Sequence, residues 1–131
     1  MTGDEVVLDA SVVVQILTEP RPSDMRTRLR GLRLHAPHLV DAEVGSVLRR
    51  RVAAGAIEAG TAEVALRALG GTIHRRHDHR ALAGRAWALR HNLSYYDALY
   101  VALAAALDVP LVTKDARLAG APDLPCAVEV V

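Results

Sequence analysis

Glu5-Val6-Val7-Leu8-Asp9-Ala10-Ser11 is a short apolar run that ends in an acid, with Val12, Val13, Ile16 and Leu17 close behind it. A β-branched run of this length reads as a buried strand. The apolar spacing after it reads as a helix, with Ser11 as its cap. Working outward, the same alternation continues. Ser23 opens a helical stretch that stops at Gly31, and Arg33 to Ala36 forms a strand candidate. Pro37 suits the first position of a helix running to about Ala54, with Gly55 just past its end. Thr61 begins a helix that closes at Gly70-Gly71, and Thr72 to Arg75 reads as a strand. A helix from about Arg80 to His91 ends at Asn92. Ser94 starts another from Tyr95 to Leu107, apolar on all sides and therefore buried. Leu111-Val112-Thr113 and Ala127 to Val131 supply the last strands. Strands alternating with helices predict an α/β domain spanning residues 1–131, with a parallel sheet covered on both faces.

Composition supports a packed core. The hydrophobic share is 51% but aromatics are 3% and Phe is absent, so Ala, Val and Leu must fill the interior. A single cysteine, Cys126, excludes an internal disulfide. Asp4 and Glu5 before a very short apolar run do not fit a signal peptide. The longest apolar stretch, Ala98 to Leu107, is about half the ~20 residues needed to span a bilayer. A cytoplasmic protein with no membrane association is expected. Net charge is +1, so no global field requires a nucleic-acid partner.

Four carboxylates carry the chemistry. Open parallel sheets place their ligand sites at the carboxyl ends of strands. Asp9 follows Val6-Val7-Leu8 directly, and Asp115 follows Leu111-Val112-Thr113 by one residue. Glu43 is three residues from Val40 and four from Val47, on the apolar stripe of its helix, where a carboxylate needs a partner or a metal. Asp97 lies in the first turn of the apolar helix, where partial positive charge favours an acid. Each has an ordinary alternative: Asp9 and Asp115 as helix caps, Ser94-x-x-Asp97 as a capping box, Glu43 paired with a buried arginine. Together they are harder to set aside. Two carboxylates ~5 Å apart repel by roughly 3 kcal/mol at an effective dielectric near 20, so four in one crevice call for a cation. Oxygen-only ligands suit Mg²⁺ or Mn²⁺ rather than zinc, and such a site can drive in-line phosphoryl displacement by water.

Other polar features are less specific. Arg49-Arg50-Arg51 cannot share one helix face; Arg49, Arg50, Lys114 and Arg117 are candidates for contact with phosphate or with a partner's carboxylates. His74-Arg-Arg-His77-Asp-His79-Arg80 reads as a solvated loop leaving a strand, with phosphate contact as its alternative. Trp87, Tyr95, Tyr96 and Tyr100 on apolar helices read as core or dimer packing, with base stacking as the alternative. A haloacid-dehalogenase-type phosphatase also starts with an aspartate after a strand. Its second aspartate would stand where Ser11 is.

The order of motifs resembles the PIN-domain family, in particular VapC-like toxins of bacterial toxin–antitoxin pairs. The resemblance rests on Val-Val-Leu-Asp9-Ala-Ser11, on Ala36-Pro37 through Asp41-Ala-Glu43, on Trp87-Ala-Leu-Arg90 with Tyr95-Tyr-Asp97-Ala-Leu-Tyr100-Val-Ala-Leu, and on Leu111-Val-Thr-Lys-Asp115-Ala-Arg-Leu. It implies a three-layer α/β/α sandwich with about five parallel strands. It also implies Mg²⁺- or Mn²⁺-dependent endoribonuclease activity, a cognate VapB-like antitoxin and a homodimer. By position, Asp9, Asp97 and Asp115 would ligate metal and Glu43 would ligate directly or through water. Ser11 and Thr113 would hold the hydrogen-bond network. The expected substrate is single-stranded or loop RNA; the alternative is a non-catalytic RNA-binding or partner-binding domain of the same fold.

Overall fold

The computed structural model describes residues 3–20 and 24–131. Among them the chain runs β1 (Glu5–Leu8), α1 (Ala10–Thr18), α2 (Asp24–Leu29), β2 (Arg33–Pro37), α3 (Leu39–Ala53), α4 (Ala59–Thr72), β3 (Arg75–His77), α5 (His79–Ala88), α6 (Tyr95–Leu107), β4 (Leu111–Thr113), α7 (Ala116–Ala119) and β5 (Val128–Val130). All pairings are parallel and the strand order is β3-β2-β1-β4-β5.

Handedness turns this order into layers. Crossovers between parallel strands are right-handed. The connections that step outward from β1 to β3 therefore lay their helices on one face, and the connection that returns to β4 lays its helices on the other. The packing agrees: α1 contacts α3 and α4, whereas α5 packs on α6 and α6 crosses β1, β2 and β4. The result is the α/β/α sandwich with five parallel strands. β1 at its centre has Val6, Val7 and Leu8 all buried, and in α6 every residue from Ala98 to Ala104 is buried. That is why α6 shows no polar face: each fully buried Val or Leu contributes about 1.5–3 kcal/mol. No helix among the described residues is long and apolar enough to cross a membrane.

Several element boundaries differ from the sequence reading. The start proposed at Ser23 lies outside the described residues; α2 is seen from Asp24. Helix α1 begins at Ala10, so Ser11 is inside it rather than capping it. Pro37 closes β2 instead of opening α3, because its fixed φ and missing N–H suit a strand end as well as a first helical turn. Helix α4 starts at Ala59 and runs through Gly70-Gly71 to Thr72, whose hydroxyl donates to the Ala68 carbonyl. The third strand consequently moves to residues 75–77. Helix α5 ends at Ala88, earlier than expected.

Residues 74–80 are not a solvated loop. They form β3 and the start of α5 and fasten neighbouring elements. His74 Nδ1 accepts from the Leu34 N–H at 2.8 Å, and His79 Nε2 accepts from the Leu39 N–H at 2.9 Å. The second bond caps α3 from another element, since the N-cap residue His38 makes no side-chain cap of its own. Arg76 grips Asp41 with two bonds of 2.6 and 2.8 Å and reaches the Leu69 carbonyl at 3.1 Å. The run anchors the helix that carries Glu43.

Candidate active site

Strand order reverses direction on either side of β1, so the carboxyl ends of β1 and β4 flank the topological switch point where open α/β sheets bind ligands. Asp9 sits there at the N-cap position of α1 yet makes no side-chain cap bond. Its carboxylate is held instead by two hydroxyls: Ser11 Oγ donates to Asp9 Oδ2 at 2.6 Å and Thr113 Oγ1 donates to the same oxygen at 2.9 Å. Ser11 Oγ in turn accepts from the Lys114 N–H at 3.2 Å and Thr113 Oγ1 from the Asp115 N–H at 3.0 Å. The two hydroxyls tie the end of β1 to the end of β4.

Helix α3 forms the opposite wall. Glu43, Ser46, Val47 and Arg50 follow the i, i+3, i+4, i+7 spacing of one helix face, and all four line the crevice together with Asp9, Ser11, Tyr96, Asp97, Arg51 and Lys114. The crevice encloses about 740 Å³. Val40, Val44 and Leu48 occupy the adjoining buried face. Glu43 is therefore half-buried at the edge of the apolar stripe, and its partner is not an arginine. Tyr100, 1% exposed on α6, donates its hydroxyl to Glu43 Oε1 at 2.7 Å. The sequence reading has Tyr100 in core or dimer packing, with base stacking as the alternative, and does not pair it with Glu43. Its i+3 spacing from Asp97 is the signal that puts both on one helix face.

Asp97 enters from the first turn of α6, where its N–H donates to Ser94 Oγ at 3.2 Å. The acids act on one another electrostatically. Burial raises the Glu43 pKa; the Tyr100 bond opposes this, while the charges of Asp9 and Asp97 reinforce it. Burial also raises Asp97, helped by the charges of Asp9 and Asp115. Desolvation chiefly, then the Glu43 charge and bond, hold Tyr100 protonated, so it remains a donor.

Asp115 stands beside this group rather than in it. Its carboxylate caps α7, accepting from the Arg117 N–H at 2.9 Å, and pairs with the Arg117 guanidinium at 3.4 Å. Burial works to raise its pKa, but the Arg117 bonds outweigh it and the value falls. The cations divide similarly. Arg50 and Lys114 line the crevice, and so does Arg51, which sequence reading had not singled out from its neighbours. Arg49 instead faces the apolar groove between α3 and α4, and Arg117 is engaged with Asp115. Lys114 Nζ donates to Gln15 Oε1.

The donor set is oxygen throughout: three carboxylates line one crevice, two of them with protonation favoured by their surroundings. That chemistry fits a hard divalent cation such as Mg²⁺ or Mn²⁺. Among the described residues, no three acidic, histidine or cysteine side chains are gathered closely enough to enclose an ion as they stand. The histidine run is likewise committed to structural bonds.

Comparisons with known proteins agree with the geometry. The family model described as PIN domain matches residues 6–124. The chain is 50% identical over 131 residues to Ribonuclease VapC1 of Mycobacterium tuberculosis, covering 98% of each chain. It is 39% identical over 126 residues to VapC ribonuclease Mb0985 of Mycobacterium bovis, covering 96% of this chain and 98% of that one. Among solved structures, VapBC2 from Rickettsia felis, bound to a DNA fragment from its promoter, superposes with a TM-score of 0.73 at 15% identity. That match covers 97% of this chain and 98% of the other and speaks to the fold.

Proposed function

The chain belongs to the PIN-domain family, and we propose that it is a divalent-metal-dependent endoribonuclease toxin neutralised by a VapB-like antitoxin. One observation carries the reading: acids from three elements far apart in sequence, Asp9, Glu43 and Asp97, face a single crevice at the sheet's switch point. The 50% identity to a protein named as a ribonuclease over nearly the whole of both chains supports RNA as substrate. The Rickettsia felis complex, whose name joins two components, supports an antitoxin partner. Leu66, exposed on α4 where it lines the apolar groove with α3, and Val64, also exposed on α4, offer surface for a protein partner, whether antitoxin or a second copy.

Asp9, Asp97 and Glu43 would hold Mg²⁺ or Mn²⁺, with Asp115 joining from the rim. When bound, the ion supplies water activation and charge stabilisation for in-line displacement at phosphorus. The chain does the positioning. Ser11 and Thr113 orient Asp9, Tyr100 orients Glu43, and Arg50 and Arg51 from α3 with Lys114 from the end of β4 would offset phosphate charge in the same crevice. Glu43 and Arg50 are separated by about 10 Å along α3, so one helix face carries both the acidic and the basic part of the site.

Purified, antitoxin-free protein is expected to cut RNA with Mg²⁺ or Mn²⁺ and to stop when the ion is chelated. Asp9→Asn should abolish cutting with the fold intact by circular dichroism. Equal cleavage by wild type and Asp9→Asn would mark a contaminating nuclease and leave a non-catalytic binding domain as the better account.

A further inference from the structure

Tyr96 is 60% exposed, on the first turn of α6, and lines the crevice together with Asp97. Core packing does not account for it, in contrast to Tyr100 four residues on. The ring sits on a fixed support. Ser94 caps the helix beneath it, and the following residues, Ala98 to Ala104, are buried. The crevice therefore presents three chemistries side by side: carboxylates for a cation, Arg50, Arg51 and Lys114 for phosphate, and one aromatic face.

Those chemistries read different parts of a nucleic acid. Cations on phosphate fix position and are indifferent to base pairing. An aromatic face accepts a base only when that base is unstacked and unpaired. We propose that Tyr96 stacks on an unpaired base next to the phosphate that is cut, making it the residue that selects single-stranded over duplex RNA. This inference rests on the ribonuclease reading above. Tyr95 supplies an internal control. It is also exposed, but it points about 100° away around the helix and does not line the crevice.

Steady-state cleavage of a single-stranded RNA and of the same sequence in duplex tests the idea in wild type, Tyr96→Ala, Tyr96→Phe and Tyr95→Ala. Stacking on an aromatic ring predicts that Tyr96→Ala loses about 5- to 150-fold in kcat/KM on the single strand. Tyr96→Phe keeps the face and should stay within about twofold of wild type. Tyr95→Ala should match wild type, and the single-strand preference should shrink only in Tyr96→Ala. Alanine at an exposed helix position favours folding, so a loss is not an unfolding artefact; circular dichroism verifies this. Unchanged kcat/KM in Tyr96→Ala, with wild type active, overturns the stacking inference alone. So does an equal loss in Tyr96→Phe, or a change of sedimentation in Tyr96→Ala showing that the ring packs on a second copy. No cleavage by wild type overturns both this inference and the ribonuclease reading.

Discussion

Tyr100 and Glu43 form the bond on which the crevice most depends. A carboxylate half-buried beside two others is pushed towards its neutral form by desolvation first and by its neighbours' charges. The Tyr100 hydroxyl is the one influence that resists, and its own pKa is raised, so it stays a donor at any physiological pH. Hydrogen bonds to charged groups are worth about 1.5–3 kcal/mol. Tyr100→Phe is therefore expected to cut the RNA-cleaving rate by roughly tenfold or more while the circular dichroism spectrum is retained. An unchanged rate would show that Glu43 is oriented by something else. Asp9 is held more redundantly, by two hydroxyls on one oxygen, so Ser11→Ala alone should have a smaller effect than Tyr100→Phe.

Elements are held in register by polar cross-links that the sequence pattern alone does not expose. Glu5 Oε1 lies 2.8 Å from His35 Nε2, and His35 Nδ1 lies 2.9 Å from His77 Nε2, a chain across β1, β2 and β3. His35 Nε2 donates to the Glu5 carboxylate. Burial lowers the His77 pKa, and the charges of His35, Arg75 and His38 lower it further. A depressed histidine contributes stability that is complete above its ordinary value of 6.5 and is lost as pH falls through the folded value. The melting temperature is expected to fall between pH 7 and pH 5, and His77→Gln should flatten that fall. An identical pH profile for the variant would remove His77 as the cause.

At this same scale, legibility divided by the kind of signal. Helix α6 and strand β4 matched the sequence bounds, because the unbroken apolar run from Ala98 to Leu107 lies between a Ser94 cap and Asp108, and Pro110 sets off the next apolar run. The 74–80 run misled because its histidines act as acceptors for N–H groups on β2 and α3 some forty residues earlier in sequence, and periodicity carries no information about such partners. Asp9, Glu43 and Asp97 were legible as strand-end, stripe and helix-start acids. The crevice role of Arg51, and the diversion of Arg49 into the α3–α4 groove, depend on helix azimuth that a run of three arginines cannot specify.

For the whole molecule, the acidic crevice is a site of stored repulsion at one edge of an otherwise well-packed sandwich. Glu43 and Asp97 both have raised pKa values. A raised carboxyl contributes stability below its unfolded value and loses it as pH rises through the folded one. At neutral pH the metal-free crevice therefore weighs against the fold, and whatever binds there returns stability by mass action. Removing one charge should have a similar effect without any ion.

The melting temperature of partner-free protein across a Mn²⁺ titration at pH 7.5, for wild type and Asp97→Asn, tests this account most directly. Wild type is expected to start lower than the variant and to rise saturably, by about 10 °C when Mn²⁺ reaches about one hundred times its dissociation constant, whereas Asp97→Asn rises little. A wild type that shows no saturable shift, or a variant that responds as strongly as wild type, would contradict the claim that these acids converge to hold a cation.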